Sequence, residues 1–254
     1  MVMGRRPEVP TAGALDTSIA LGRIGAGLVG GLAGVPMRRP WRGRFDPATN
    51  ARHEVVRTTV QSVMVTAMSL DTPQLRSVEI ILDDAASAVM PPPWRRAQVR
   101  LDAGEVGGVP GQWVEPVDRR EPGVVIYLHG GGYLATTPRM YTGLVSRIAA
   151  LAGVRVFVPD YRLAPEFPYP AALQDATAVY EGLLAYGIGT DAMLVAGDSG
   201  GGGLAAALLA ELVDRGLPCP AGAILLSPEI DLTLSGASIE NNAAHDILPA
   251  DIPV

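Results

Sequence analysis

Ser199 stands between two contrasting textures, in the run Gly197-Asp198-Ser199-Gly200-Gly201-Gly202-Gly203. Ahead of it lies Met193–Ala196, an apolar stretch of strand length, and behind it Leu204–Arg215 has the composition of a helix. A strand that turns into a helix within a few residues needs a corner too tight for neighbouring side chains. G-x-S-x-G in that context lifts the serine hydroxyl above the end of a sheet. The first N–H groups of the helix have no intrahelical partner and favour developing negative charge. Upstream, a second apolar run, Val124–Leu128, ends in His129-Gly130-Gly131-Gly132. An exposed hydroxyl and a bare stretch of backbone suit acyl transfer: the hydroxyl attacks a carbonyl, and preorganised N–H donors hold the resulting oxyanion. Each such donor is typically worth about 3–4 kcal/mol of barrier. Either motif alone is equally well read as a glycine turn after a strand; the pair, in strand context, is specific.

The elements around these motifs alternate. Val99 and Leu101 alternate with polar neighbours, Gly107-Gly108 turns, and Gln112-Trp113-Val114 returns, which predicts an antiparallel hairpin. Val124–Leu128 reads as a strand buried on both faces, followed by a helix over about Pro138–Leu151 and a strand at Val154–Val158. A helix near Ala171–Tyr186 leads to the elbow strand, and beyond Pro218-Cys219-Pro220 another strand is expected at Ala223–Leu226. Buried strands separated by helices predict an α/β class: a mostly parallel sheet covered by helices on both faces. Residues 1–95 read as helical. Asn50 is placed to cap a segment bearing Val56, Val60, Val63, Met64 and Ala67, and a second segment carries Leu75, Val78, Leu82, Ala85, Ala86 and Val89 at helical spacing. Pro91-Pro92-Pro93-Trp94 is expected to act as a stiff boundary. The division is therefore 1–95, an N-terminal helical cap or lid region, and 96–254, a core.

With this order of motifs the chain resembles the hormone-sensitive lipase branch of the α/β-hydrolases. The resemblance rests on His129–Gly132, on Asp160-Tyr161-Arg162-Leu163-Ala164-Pro165-Glu166 and on Gly197-Asp198-Ser199-Gly200-Gly201, with further likeness at Ser227-Pro228 and Asp231-Leu232-Thr233. It implies an α/β-hydrolase fold and a carboxylesterase or lipase activity. Ser199 would be the nucleophile, with Gly130, Gly131 and Gly200 supplying oxyanion N–H groups. His129, Gly132, Gly197, Asp198 and Gly201 would be motif support. The substrate implied is an ester of a short or medium acyl chain, with no cofactor and no metal. The family usually has alanine where this chain has Gly200 and tryptophan where it has Glu229.

A serine needs a base, and the base needs an orienting acid; in α/β-hydrolases these follow in the order Ser, Asp or Glu, His. The expected strands carrying them are not visible after Ala223–Leu226, so the core reads as C-terminally truncated. His245 is the one histidine after Ser199. Paired with Asp231 it would satisfy the order, but no intervening strand aims it, and it reads as a loop histidine. Two other outcomes therefore stand beside an esterase: a non-catalytic small-molecule-binding protein of the same fold, and an inactive truncated product. Transfer of the acyl group to an acceptor other than water is a further possibility left by the motifs. Gly-Asp-Ser-Gly-Gly also occurs in trypsin-like proteases, but those are double β-barrels whose histidine and aspartate precede the serine. Here the serine opens a helix, and His53 lies among helix formers.

The 254 residues carry 48% hydrophobic residues, a mean hydropathy of +0.24 and a net charge of −6, and every one of the 20 basic residues is arginine. Residues 1–60 hold nine arginines against four acids (+5), and residues 61–254 hold eleven against twenty-two (−11). The acidic part excludes nucleic-acid binding. The basic head suits association with an anionic membrane or envelope surface, although a solvated basic face is the simpler reading. No run is expected to reach transmembrane length, so a leaderless cytoplasmic protein is favoured. One cysteine, Cys219, excludes an intrachain disulfide. If Ala223–Leu226 is the last strand, its open edge invites pairing between copies.

Overall fold

The computed structural model describes residues 9–35, 46–89, 98–243 and 245–249. Its contacts divide the chain into two units, one holding residues 79–230 and the other residues 10–78 with the segment that begins at Asp231.

The first unit is built on a six-stranded sheet in the order β1-β2-β4-β3-β5-β6. β1 (Val99–Val106) and β2 (Val109–Pro116) form the expected antiparallel hairpin, closed by Gly107 and Gly108 in left-handed backbone. β2 also runs antiparallel to β4 (Arg155–Pro159), whereas β3 (Val124–Leu128), β4, β5 (Met193–Asp198) and β6 (Gly222–Leu226) are mutually parallel. β3 is buried along its whole length. Its Val124, Ile126 and Leu128 pack on one face with Val179, Leu183, Leu208 and Leu212, while Val125 and Tyr127 pack on the other with Val145 and Ala149. The pleat thus sends alternate residues into two cores.

Three helices supply those layers: α4 (Pro138–Ala152) on one face, and α5 (Ala171–Ala185) and α6 (Ser199–Asp214) on the other. Thr137 caps α4, its hydroxyl accepting from the Met140 N–H, with Pro138 in the first turn, where a missing N–H does no harm. At the far edge β6 pairs only with β5 among the described residues, and Ile224 and Leu226 remain 49% and 43% exposed. An apolar strand left open in this way is a ready template for another strand.

The second unit contains α1 (Ala14–Gly34) and α2 (Pro47–Met68). A third helix, α3 (Thr72–Val89), starts in this unit and ends in the first, and α7 (Ala237–Asn242) lies in the segment after Asp231. Ala20, Ile24 and Val78 form a small buried cluster, flanked by Leu21, Leu28, Val63 and Leu70. α2 begins four residues earlier than Asn50 would place it. Asp46 is the cap, its carboxylate accepting from Ala48 N and Thr49 N, and Pro47 takes the first helical position. α1 overturns another expectation: it is the one helix among the described residues long and apolar enough to cross a membrane. The predicted boundary at Pro91–Trp94 lies outside the described residues.

Candidate active site

In the parallel register Leu128 lies beside Gly197, so the chain leaves β3 and β5 at the same level on neighbouring strands. Beyond Asp198 the strand gives way directly to α6, and Ser199, the first helical residue, has φ 52°. A left-handed conformation costs a non-glycine residue about 1–2 kcal/mol and persists only where its surroundings enforce it. Tyr133, Thr136 and Ser227 share this feature, with φ of 62°, 80° and 46°. All four lie just past the carboxyl ends of β3, β5 and β6, where sites in open α/β sheets are built.

The enforcement comes from close packing. A side chain at Gly201 would drive into the carbonyl oxygens of Leu128 and His129, so the first turn of α6 lies directly on the end of β3. At Gly200 the space is larger: an added Cβ would sit 3.1 Å from Gly132 N and 3.2 Å from Tyr133 N. Gly200 therefore faces the Gly132–Tyr133 backbone. Ser199 itself is half-buried, and its hydroxyl has no hydrogen-bond partner among the described residues.

The loop after β3 is held by Asp198. Its Oδ1 accepts from Tyr127 Oη at 3.0 Å and from Gly130 N at 3.1 Å, and its Oδ2 accepts from Tyr141 Oη at 2.8 Å. Gly130 N also lies 3.0 Å from Tyr141 Oη. The Gly130 amide, expected from the resemblance among the oxyanion donors, is engaged by Asp198 and Tyr141 in this structure. Gly131, with φ 123°, and Gly132, with φ 60°, turn the loop so that their amides, with that of Gly200, have no partner among the described residues. Burial, reinforced by the charge of Asp198, pushes the phenols of Tyr127 and Tyr141 well above the usual tyrosine range, so both stay protonated donors. Neither tyrosine is flagged by any local sequence signal; only the tertiary contact reveals them.

His129 is fully buried. Its Nδ1 lies 3.0 Å from Gly130 O and 2.8 Å from Thr136 Oγ1, and Thr136 Oγ1 donates to the same carbonyl. A carbonyl only accepts, so the Nδ1 carries the proton. Tyr161 stacks on this imidazole with ring centroids 4.3 Å apart and donates to His129 O at 2.6 Å. His129 thus shapes the loop. Arg162 forms a forked pair with Asp175, and Ala164 N donates to Tyr133 O, so the segment after β4 braces the loop after β3.

Replacing Asp198 with asparagine tests this brace. An amide keeps the shape but turns a donor toward groups that are themselves donors. Asp198→Asn is expected to lose about 2–4 kcal/mol of stability in urea unfolding, against about 1–2 kcal/mol for Tyr141→Phe.

Glu229, where the family has tryptophan, follows β6. Its N–H donates to Ser199 O at 3.0 Å, and its carbonyl lies beside Gly203 together with the Tyr133 hydroxyl. Burial raises the carboxyl pKa of Glu229. Tyr133 is pushed up to about 12 by burial and by the nearby Glu229 charge. Asp231 behaves oppositely: hydrogen bonds from Ser235 and then Thr233 hold it down to about 2. Both of its oxygens are occupied in that local turn, Oδ1 by Thr233 and Oδ2 by Ser235. His245 lies beyond α7, its backbone N–H donating to Asn242 O at 2.7 Å.

Comparison with known proteins gives these features a context. A family described as alpha/beta hydrolase fold matches residues 125–252. An acetyl-hydrolase of Streptomyces hygroscopicus is 42% identical over 147 residues, which are 58% of this chain and 49% of that protein. A crystal structure of a mutant of the esterase E40 superposes with a TM-score of 0.63 at 39% identity, covering 70% of this chain and 58% of the other. An esterase from the bacterial hormone-sensitive lipase family superposes with a TM-score of 0.59 at 28% identity, covering 94% and 65% respectively. The chain spans about half the length of the curated relatives it matches.

Proposed function

The chain belongs to the α/β-hydrolase fold family and is similar to its hormone-sensitive-lipase branch, and on that premise we propose that it is a serine carboxylesterase acting on esters of short or medium acyl chains. Ser199 Oγ attacks the ester carbonyl. The new C–O bond pushes the carbonyl electrons onto oxygen, and the amides of Gly131, Gly132 and Gly200 receive that charge. Collapse expels the alcohol, which takes up a proton and leaves an acyl-enzyme for water to cleave. Residues 79–230 contain one histidine, His129, whose Nδ1 is held by Thr136 and Gly130. The base that takes the serine proton therefore lies outside that stretch. Residues 1–95 serve, in the same proposal, as the cap region.

The observation that supports this reading is the left-handed Ser199 at a strand–helix corner, with Gly200 packed on the Gly132–Tyr133 backbone. Small acyl groups are favoured because a relative carries the name acetyl-hydrolase. Protection from a fluorophosphonate tests the substrate class without requiring turnover. p-Nitrophenyl acetate and butyrate are expected to slow labelling of Ser199 at lower concentration than the palmitate does. Equal or better protection by palmitate overturns the acyl preference, and absence of labelling in the folded chain overturns the esterase.

A further inference from the structure

We infer that the outward face of α1 is a membrane-docking surface that lies on an anionic lipid bilayer. α1 buries one side: Thr17, Ala20 and Ile24 are buried, and Gly27 and Gly31 lie against Thr58, Ser62 and Thr66 of α2. The opposite side carries Leu15, Ile19, Gly22, Ala26, Val29 and Ala33, all exposed and none of them charged. Leu15 is 74% exposed and Val29 70%. A helix facing water ordinarily carries charge on that side, so an uncharged outer face the length of the helix marks a surface made for an apolar medium.

The charge pattern selects lipid over a second copy of the chain. Residues 1–45 contain seven arginines and two acids, Glu8 and Asp16, while residues 61–254 carry a net −11. In the sequence after α1, Arg38, Arg39, Arg42 and Arg44 alternate with Trp41 and Phe45. Arginines that directly follow an apolar helix in the sequence favour anionic headgroups, and aromatic residues among them suit the headgroup level. A second copy of residues 1–45 supplies only two acids to answer seven arginines. α1 has the length to span a bilayer, but Arg23 sits near its midpoint, where a charge is costly, and its inner side is already packed on α2. Asp16 and Arg23 project from one flank of the helix, where headgroups and water remain within reach. A helix lying in the interface satisfies all of these constraints.

The full chain is mixed with phosphatidylcholine vesicles, with and without phosphatidylglycerol, and sedimented. It is expected to pellet with the mixed vesicles, more weakly at high salt, and little with phosphatidylcholine alone. Leu15→Glu/Ile19→Glu/Val29→Glu is expected to weaken pelleting about tenfold or more while leaving the far-ultraviolet circular dichroism unchanged. Should the triple variant lose its fold, the single change Val29→Glu is read in the same way. Failure of the wild-type chain to pellet, or undiminished pelleting of a folded variant, overturns the proposal. So does a wild-type dimer that the variants convert to a monomer without any vesicle binding.

Discussion

Ser199→Ala is expected to abolish covalent labelling of the folded chain by a fluorophosphonate, with an adduct on every wild-type molecule and none on the variant. The reagent requires the chemistry proposed for the ester. Ser199 Oγ forms a bond to phosphorus, the P–F bond breaks, fluoride departs, and the serine proton passes to a base or to solvent. Alanine removes the atom proposed to make the bond. In a complete serine hydrolase the loss of the nucleophile lowers turnover about 10⁶-fold, equivalent to about 8 kcal/mol of barrier. The substitution leaves the fold in place, because alanine meets the same left-handed backbone and Ser199 Oγ holds no structural hydrogen bond among the described residues. Intact mass and peptide mapping read the result. Labelling that persists in Ser199→Ala would assign the reactive atom elsewhere.

The second large effect separates two neighbouring glycines that look alike in the sequence. Gly201→Ala places a methyl group against the carbonyl oxygens of Leu128 and His129, which are backbone atoms at the end of a fully buried strand and have nowhere to move. The expected loss is about 3 kcal/mol or more, at the upper end of overpacking penalties, with the elbow displaced as well. Gly200→Ala adds its methyl 3.1 Å from Gly132 N and 3.2 Å from Tyr133 N, a contact relieved by a shift of a few tenths of an ångström. Alanine is favoured over glycine within a helix by about 1 kcal/mol, so the net change is expected to stay within about 1 kcal/mol of zero. Urea midpoints measure both. Equal destabilisation by the two substitutions would mean that the elbow does not rest on β3 in the way described.

That contrast also indicates what the sequence makes legible. Glycine punctuation announces the elbow and the His129–Gly132 loop, because a tight corner and a close backbone approach are local demands with a local signature. The parallel strands are legible for the same reason: Val124–Leu128 is uniformly apolar since both of its faces are covered. The helix start at Asp46 is a nearer miss. Asn50 and Asp46 are both competent caps, and Pro47 in the first turn decides between them. α1 is harder, because Asp16 and Arg23 interrupt its apolar run in sequence while occupying a single flank in space. The brace around Asp198 is not legible at all. Tyr127 comes from a strand and Tyr141 from a helix, and only the assembled fold brings their hydroxyls to one carboxylate. For the same reason the family resemblance, which implies a place for Gly130 in the oxyanion cradle, gives no sign that its N–H donates to Asp198.

The open edge of β6 and the engaged carboxylate of Asp231 bear on the base. Residues 79–230 place Ser199 beside backbone amides, and in the proposed mechanism the proton acceptor lies outside them. Acylation by an activated phosphonate therefore reports on the half of the site that these residues build, independently of deacylation.

The most direct measurement is a crystal structure of the phosphonylated protein. A phosphoryl oxygen is expected about 2.7–3.1 Å from the amide nitrogens of Gly131, Gly132 and Gly200, with Gly130 N still donating to Asp198. A phosphoryl oxygen turned to solvent, or one held by Gly130 after its release from Asp198, would contradict it.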